Sequence, residues 1–275
     1  MDKKRILFVF IVTIFTCTLS FPQSNETLWY DRLAEHFEGA LVLGNGKTSA
    51  TVFDGIQSDR IYLNDATLWS GGPVDPNAKP DVSSLVPQVR EALTREDYRA
   101  AERLNRRIEG KFSESFSPLG TLTIDHKLQG DATNYYRELD ISKAVAKVRY
   151  DLDGVTYTRE YFVSNPDKII VIKLSASKKE SLNFSVKFES LLKYTTSAKD
   201  NMLQAHGYAP YFAYPDYMGR RVRDPIRFDE NKGTRFSTDI KVKNEGGQVT
   251  VSDTSINVNN ANEVAGRQKN TGNQR

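Results

Sequence analysis

The sequence predicts an all-β fold, a large sandwich of antiparallel sheets with a short helical insertion. First, apolar and polar residues alternate with a period of two from Leu122 onward, as expected of strands with one face on a core and the other in water. Second, short turn signals separate these runs. Asp153-Gly154 is the strongest of them, because both central residues of the favoured hairpin turn need positive φ. Many strands joined by short turns favour two packed sheets over one open sheet.

The first twenty residues predict a secretory signal peptide. They contain a basic stretch, an apolar run over Ile6–Thr16, and the small residues Thr18 and Ser20 ahead of a cleavage point at Phe21. A buried strand and a membrane anchor are the alternatives, but the run is too short to span a bilayer. We therefore expect a secreted or periplasmic protein with no stable membrane anchor. Cys17, the only cysteine, lies in this segment, so packing rather than disulfides would stabilise the mature chain.

Composition and charge limit the class of protein. With 275 residues, 39% hydrophobic and 27% charged, the chain can bury a sizeable core, and we expect one large domain. The formal net charge of +3 falls to about +1 without the first twenty residues, which hold three basic residues and one acidic residue. We expect no nucleic-acid partner at so small a positive charge.

Two tight turns are predicted near the start of the mature chain. Gly44-Asn45-Gly46-Lys47 superficially resembles a phosphate loop, but it lacks the spacing and the following helix, so a turn between two strands is favoured. Asn64-Asp65 ends the strand that carries Leu63, and the segment Ser70–Pro73 follows. Trp69 has two open interpretations: it closes one end of the sandwich, or it belongs to a surface that contacts another domain or a sugar.

Residues 84–110 predict the helical insertion. Ser84 can cap a first helix, and Thr94 with Asp97 resembles a capping box for a second helix that ends at Gly110. The arginines of this segment could form an anion site, but acidic residues interleave with them. A solvated helix face is therefore favoured.

The remaining periodic segments predict further strands. Lys168–Leu174 is nearly continuously apolar and predicts a buried strand, and Leu182–Phe188 alternates. Phe236–Val242 and Gln248–Val258 flank Glu245-Gly246-Gly247, which predicts a second hairpin.

Lys199–Arg235 shows little periodicity and predicts a long loop, a feature that is usually functional or mobile. It contains His206 and a cluster of aromatic residues around Tyr211. Those rings could stack on sugars, because an aromatic face complements the C–H patches of a pyranose. They could equally serve only to pin the loop to the sheet.

No catalytic or metal centre is evident from the residues themselves. His36, His126 and His206 are scattered, and none forms a helical pair with a carboxylate. The chain has no nucleophile elbow, no glycine-rich phosphate loop and no Cys/His pair, so we expect no cofactor and no metal. Paired carboxylates are the remaining route to catalysis, but the 35 acidic residues cannot be paired from sequence.

Four ordered stretches carry a family resemblance: "LWYDRLAEHFEGALVLGNGKTSATVFDGIQSDRIYLNDATLWSGGP", "SPLGTLTIDH", "YRELDISKAVAKVRYDLDGVTYTREYFVSNPDKIIVIKLSA" and "EGGQVTVSDTSINVNNANEV". Together with the helical pair they resemble the N-terminal domain of glycoside hydrolase family 95, whose members are mainly α-L-fucosidases with some α-L-galactosidases. The likeness runs from about Leu28 to Val264. It implies a large antiparallel β-super-sandwich over residues 21–264 that precedes and buttresses an (α/α)6 barrel.

The resemblance also implies an inverting hydrolase, in which one carboxylic acid protonates the leaving oxygen and a base activates water. The family's acid, base and assisting asparagines lie in the barrel, so no catalytic residue transfers to any position here. Relatives commonly have glycine at the positions of Ser49 and Asp54, which puts the shape of the neighbouring turns in doubt. Residues 265–275 depart from the family pattern and predict a disordered tail; a frameshift or a premature stop would produce such a pattern.

Three functions compete. The chain is the N-terminal domain of a secreted α-L-fucosidase and inactive by itself, a stand-alone carbohydrate-binding module, or a purely structural domain. We favour the first, with fucosylated glycans or the missing catalytic barrel as partner. Fixed turns and large aromatic residues suit an interface, so the candidate substrate or domain-interface residues are Asn45, Asn64, Asp65, Trp69, Ser70, His206 and Tyr211.

Overall fold

The computed structural model describes residues 26–72, 81–110, 114–215, 217 and 222–270. The predicted signal peptide lies outside these residues. Within the part of the chain that is described, neither helix has the length and apolar character needed to cross a membrane.

Two antiparallel sheets form the body of the protein. The first has nine strands, in the spatial order β1 (Thr27–Tyr30), β6 (Thr133–Asp140), β7 (Val145–Leu152), β8 (Val155–Ser164), β9 (Ile169–Ala176), β18 (Glu263–Asn270), β15 (Arg235–Glu245), β12 (Met202–Tyr208) and β11 (Lys193–Lys199). The second has seven, in the order β16 (Gln248–Val251), β17 (Ile256–Ala261), β10 (Leu182–Glu189), β5 (Gly120–His126), β4 (Ser58–Asp65), β3 (Thr48–Val52) and β2 (Leu41–Gly44). A separate ribbon pairs β13 (Phe212–Ala213) with β14 (Ile226–Arg227).

The core lies between the two sheets. Along β8 and β4, buried residues alternate with half-exposed ones, so each strand sends every second side chain inward. Val148 and Tyr161 from the nine-stranded sheet meet the same cluster as Ile61 and Phe184 from the seven-stranded sheet, and none is more than 1% exposed. The predicted all-β sandwich is confirmed.

The structure confirms one of the two predicted hairpins, and the prediction of the other is wrong. Asp153 and Gly154 have φ of 50° and 73° and join β7 to β8 through the pair Leu152↔Val155, as predicted. At Glu245-Gly246-Gly247, however, the chain crosses from the nine-stranded sheet to the seven-stranded sheet, because β15 pairs with β12 and β18 while β16 pairs with β17. The two glycines, with φ of 69° and 65°, turn the chain without bringing its flanking strands together.

The helical insertion consists of α1 (Leu85–Thr94) and α2 (Tyr98–Ile108). Asp97, not Thr94, caps α2: its carboxylate accepts a hydrogen bond of 3.0 Å from the amide of Ala100. Thr94 is the last residue of α1, and its hydroxyl donates to the carbonyl of Arg90 at 3.0 Å. Ser84 precedes α1 as predicted, but its side chain makes no capping hydrogen bond.

Charges on the insertion pair along each helix. Arg95 lies 2.6 Å from Glu91 and Arg106 lies 2.5 Å from Glu102, all of them exposed. Neighbouring i,i+4 charges of opposite sign are typical of a solvated helix face, so the interpretation of these arginines as a solvated face fits the structure better than an anion site.

The predicted long loop over Lys199–Arg235 is wrong in its first part. Asp200 and Asn201 have φ of 50° and 57° and turn the chain between β11 and β12, which pair along their length. Asp and Asn tolerate the left-handed region better than other non-glycine residues, so this hairpin lacks the glycine that would have marked it. The irregular part is limited to the residues after β12.

The predicted disordered tail over 265–275 is also wrong where it can be compared, because β18 continues to Asn270. This strand lies in the middle of the nine-stranded sheet, between β9 and β15. Its buried residues in this segment, Gln268 and Asn270, are polar and bond to each other and to Thr238 of β15: Gln268 donates to the hydroxyl of Thr238 at 2.8 Å, and the Asn270 amide oxygen accepts from both side chains. Residues 271–275 lie outside the described part.

We predict that Gln268→Ala lowers the free energy of unfolding by about 1–3 kcal/mol, because it leaves buried partners unsatisfied. Arg267→Ala, one position away but exposed on β18, should change it by less than about 0.5 kcal/mol. Urea denaturation of both variants measures the difference. Equal effects of the two substitutions would show that this end of the chain is not an ordered strand.

Candidate functional site

Exposed apolar side chains form one continuous surface at the end of the seven-stranded sheet where β5 begins and β10 ends. We define the apolar surface by Trp69, Phe116, Leu191, Tyr217 and Ile226, which are 44%, 46%, 89%, 76% and 59% exposed. Two grooves meet on it and share Phe116, Pro118 and Leu191. A contiguous patch of this kind is the usual mark of a binding surface.

The first groove follows the outer face of the seven-stranded sheet and has a volume of about 910 Å³. Val42, Tyr62 and Asn64 line it from β2 and β4, and Thr121 lines it from β5. These are the outward positions of their strands, since residues such as Ile61 and Leu63 point into the core. The Oδ1 atom of Asn64 is buried and has no hydrogen-bond partner.

The second groove has a volume of about 1060 Å³ and lies beside the β13–β14 ribbon. Leu191, Tyr217 and Ile226 line it together with Phe228. The amide of Tyr211 extends the ribbon by donating to the carbonyl of Arg227 at 2.9 Å, and the amide of Ala213 ties the ribbon to the Glu114 carboxylate at 3.4 Å. The ribbon therefore extends the apolar surface away from the sheet.

Trp69 sits on a braced segment between β4 and the surface. Its Nε1 donates to the carbonyl of Ala66 at 3.0 Å, and its ring meets Phe116 edge to face at 6.4 Å. Buried Asp65 accepts from the amide and hydroxyl of Thr67 at 2.9 and 2.6 Å. These bonds hold the indole in place with one part exposed.

Ser70 is buried and ties the same segment to Glu114, in the connection that leads to β5. Its hydroxyl donates to the Glu114 carboxylate at 2.8 Å and accepts from the amide of Ser115 at 2.9 Å. Asp65 and Ser70 thus use their polar groups within the fold and position Trp69, rather than presenting those groups outward.

Asn45 also bonds within the fold. Its Oδ1 accepts from the amides of Lys47 and Thr48 at 3.0 and 2.8 Å, and its Nδ2 donates to the carbonyl of Ser164 at 3.1 Å. The predicted tight turn is therefore present, and Asn45 ties the β2–β3 turn to the end of β8 in the other sheet.

His206 and Tyr211 do not join the apolar surface. His206 is exposed on β12, in a polar groove of about 720 Å³ that also contains Lys193, Glu230 and Arg235. The ring of Tyr211 is covered by the ammonium group of Lys232 at 5.0 Å. Of the seven predicted residues, Asn64 and Trp69 lie at the apolar surface, and Asp65 and Ser70 support it. That any of the seven contacts a partner stays a prediction.

Sequence reasoning missed Phe116 and Leu191, the residues that join the two grooves. Phe116 precedes β5, and Leu191 follows β10. The available signal was weak: Leu191-Leu192 places two large apolar residues in succession at a strand end, where only one can face the core. Leu192 is the buried member.

Two carboxylates lie deep between the sheets. Asp59 accepts from the Tyr161 hydroxyl at 2.6 Å and from the amide of Gly55 at 3.1 Å, with Arg159 3.4 Å away. Asp54, with φ of 60°, has no hydrogen-bond partner for either carboxylate oxygen, and Arg137 lies 3.9 Å away. Desolvation by burial raises the pKa of Asp59 and raises the pKa of Asp54 to about 7.

This pair is unsuited to glycoside hydrolysis. Both residues are 0% exposed, whereas hydrolysis requires room for a sugar and a water between the two carboxyl groups. The groove on the outer face of the seven-stranded sheet contains one carboxylate, Glu189, and the groove with His206 contains one, Glu230. The groove beside the β13–β14 ribbon contains none. None of the three therefore contains a catalytic pair.

Among the residues that the structure covers, no group of three or more His, Cys, Asp and Glu side chains is arranged to hold a metal ion. The binding surfaces of the described residues are thus built from aromatic, aliphatic and hydrogen-bonding groups.

Comparison with known proteins identifies the family of this sandwich. A sequence profile described as "Glycosyl hydrolase family 65, N-terminal domain" matches residues 28–265. The chain belongs to this family. The match covers both sheets and the helical insertion, and it ends inside β18.

Two proteins that are similar to this chain are named as fucosidases. "Alpha-L-fucosidase 2" from Arabidopsis thaliana is 31% identical over 225 residues, which cover 79% of this chain and 26% of the relative. "Probable alpha-fucosidase A" from Aspergillus niger is 29% identical over 171 residues, 58% of this chain and 21% of the relative. The α-L-fucosidase-type N-terminal domain indicated by the sequence motifs is confirmed. The chain spans about a quarter of the length of these relatives.

We predict that Asp54→Asn stabilises the protein by about 1–3 kcal/mol above about pH 7.5 and by less than half as much near pH 5. The folded pKa of about 7 exceeds the ordinary value of 3.8, so folding favours the protonated acid. The free-energy cost of ionising Asp54 is therefore absent below about pH 3.8. It grows as the pH rises from 3.8 to about 7 and is complete above that pH. Asparagine has no such cost and tolerates positive φ.

Urea denaturation at about pH 5 and about pH 8 measures this difference. Asp59→Asn is the matched control and should destabilise the protein at about pH 8, because it removes the charge that faces Arg159. A stability difference for Asp54→Asn that does not change with pH would contradict the prediction.

Proposed function

We propose that this chain is the non-catalytic N-terminal domain of a secreted α-L-fucosidase-type glycoside hydrolase, and that the apolar surface binds the catalytic domain. The proposal is carried by the apolar surface, which is exposed in this chain. The chain is a family member that spans about a quarter of the length of its relatives. The full protein would hydrolyse α-L-fucosyl linkages in glycans, with its catalytic acid and base outside this chain. The predicted signal peptide supports secretion.

The composition of the apolar surface favours a protein partner. Leu191, Ile226 and Val42 are aliphatic and exposed, and aliphatic side chains do not offer the flat π face on which a sugar ring stacks. Aromatic and aliphatic side chains with a few polar groups are the usual composition of the buried core of an interface.

The surface is also rigidly supported. The bonds of Asp65, Ser70 and Glu114 hold Trp69 and Phe116 on a fixed segment. A preorganised surface loses less conformational entropy on association than a mobile one. This arrangement suits permanent contact with a neighbouring domain.

A stand-alone carbohydrate-binding module is the second candidate, because the exposed face of Trp69 could stack on a sugar. The sequence holds two tryptophans, so Trp29→Phe leaves Trp69 as the only one. Titration of that variant with 2′-fucosyllactose while following its fluorescence tests this candidate. A saturable change would favour it over domain docking at this surface.

The chain alone should not hydrolyse 4-nitrophenyl α-L-fucoside above the rate of a mock purification. No groove described here offers the two carboxyl groups that the reaction needs. Release of nitrophenol, measured across the fractions of a sizing column, checks this. Hydrolytic activity that co-elutes with the chain and is lost in the Glu189→Gln variant would contradict the claim that this chain is non-catalytic.

Leu191→Asp should be neutral in the isolated chain, within about 0.5 kcal/mol, because the side chain already faces water. In a chimera that places this chain ahead of the catalytic part of the Arabidopsis relative, the same substitution should lower the thermal midpoint by several degrees, since it would bury a charge at the interface. Tyr98→Asp, an exposed aromatic on α2, is the control for both contexts. Equal effects of Leu191→Asp in the isolated chain and in the chimera would argue against docking through this surface.

A further inference from the structure

A second aromatic feature lies on the outer face of the nine-stranded sheet. Trp29 on β1 is 61% exposed and Tyr136 on β6 is 38% exposed. Their ring centroids are 6.2 Å apart and their planes differ by 19°. The two nearly parallel rings stack against each other on the sheet face and leave aromatic surface exposed, and we call this pair the Trp29–Tyr136 platform.

The strand register explains why both rings point outward. Trp29 lies opposite Glu138, and Tyr136 is two residues earlier on β6, so all three side chains leave the same face of the sheet. The neighbouring pair, Tyr30 and Arg137, leaves the opposite face of the sheet, where Arg137 is buried and Tyr30 is 36% exposed. A strand with alternating faces therefore places the two rings beside each other without any contact from the core.

The platform is held from beneath. The guanidinium of Arg137 lies 4.2 Å from the ring centroid of Tyr30 and donates to the carbonyls of Arg32 and Gly39 at 2.8 and 2.9 Å. These contacts fix β1 at the edge of the sheet. On the outer side the Tyr136 hydroxyl donates to the Glu138 carboxylate at 2.8 Å, which limits rotation of that side chain.

Hydrogen-bonding groups of both charges surround the rings. Glu138 lies opposite Lys147, and Tyr136 lies opposite Arg149, all on the same outer face. Lys147 is engaged by Glu160 at 3.3 Å. A carboxylate has about four acceptor sites and a guanidinium has five donors, so Glu138 and Arg149 can bond to a ligand as well as to neighbouring side chains.

We propose that the Trp29–Tyr136 platform binds a pyranose unit of a neutral oligosaccharide. The ring faces cover the C–H patch of the sugar, Glu138 accepts hydrogen bonds from its hydroxyl groups, and Arg149 donates to its oxygens. The platform does not favour a charged ligand, because the carboxylate of Glu138 and the cationic groups of Lys147 and Arg149 both lie beside it. The platform differs from the apolar surface, since polar side chains rather than aliphatic ones surround its rings.

This assignment goes beyond domain docking and adds a glycan-contacting face to the chain. The two faces lie on different sheets: the apolar surface borders the seven-stranded sheet, and the platform lies on the nine-stranded one. A glycan held on the second face would therefore leave the first free to contact a protein domain.

Fluorescence of Trp69→Phe tests the proposal directly, because Trp29 is then the only tryptophan. The variant is titrated separately with 2′-fucosyllactose, lactose and cellohexaose at millimolar concentrations. We expect a saturable change in emission with at least one of the three. Linear or absent changes with all three would overturn the proposal.

Calorimetric titration of the otherwise unchanged chain with the same sugars locates the site. Trp29→Ala and Tyr136→Ala should each weaken binding by about tenfold or more, the usual effect of removing an aromatic anchor. Tyr98→Ala, an exposed aromatic of the helical insertion, should leave the affinity unchanged. Undiminished binding in Trp29→Ala would overturn the assignment.

Two further measurements separate recognition from folding. Thermal unfolding of each variant shows whether it is folded at the temperature of the titration. Glu138→Gln keeps the size of the side chain and removes its charge, so it should weaken binding several-fold while leaving the two rings in place. Affinity that is identical for glutamate and glutamine would remove Glu138 from the site, and loss of affinity only in variants that unfold would overturn the platform as a binding site.

Discussion

The contact between Arg159 and the β3–β4 turn is the constraint on which the sandwich depends. This guanidinium belongs to β8 of the nine-stranded sheet, yet it donates to the carbonyls of Gly55 and Ile56 in the other sheet at 2.6 and 3.1 Å. It also donates to the Tyr150 hydroxyl at 2.7 Å and faces Asp59 at 3.4 Å. A buried cation with these partners from both sheets fixes one relative position of the sheets, because sliding would separate its charge from them.

That fixed position determines what each outer face can present. Side chains that point inward build the core and the ionic contacts, so the outward positions are free to differ between the sheets. On the seven-stranded sheet, apolar side chains lie around Leu191 and Phe116. On the nine-stranded sheet, charged side chains of both signs lie next to Trp29 and Tyr136. One scaffold thus carries two surfaces whose chemistry suits different kinds of partner.

Sequence patterns predicted the sandwich because alternation is a local property of each strand. They failed where the outcome depended on distant residues: Gly246-Gly247 changes sheets instead of closing a hairpin, and polar Gln268 and Asn270 are buried because Thr238 bonds them. At the surface, Trp69 could be singled out as a large aromatic on a turn. Phe116 and Leu191 could not, since only the tertiary fold brings them together, and the platform at Trp29 needed the register of β1 on β6 to be known.

The position of β18 has a consequence for how the protein assembles during synthesis. This strand is the last one described along the chain, yet it fills the centre of the larger sheet between β9 and β15. Until the ribosome has released it, β9 has an open edge that carries Ile170, Ile172 and Leu174, all of which end up buried. An unpaired strand of this kind can pair with another nascent chain, so this domain is most exposed to aggregation just before β18 leaves the ribosome.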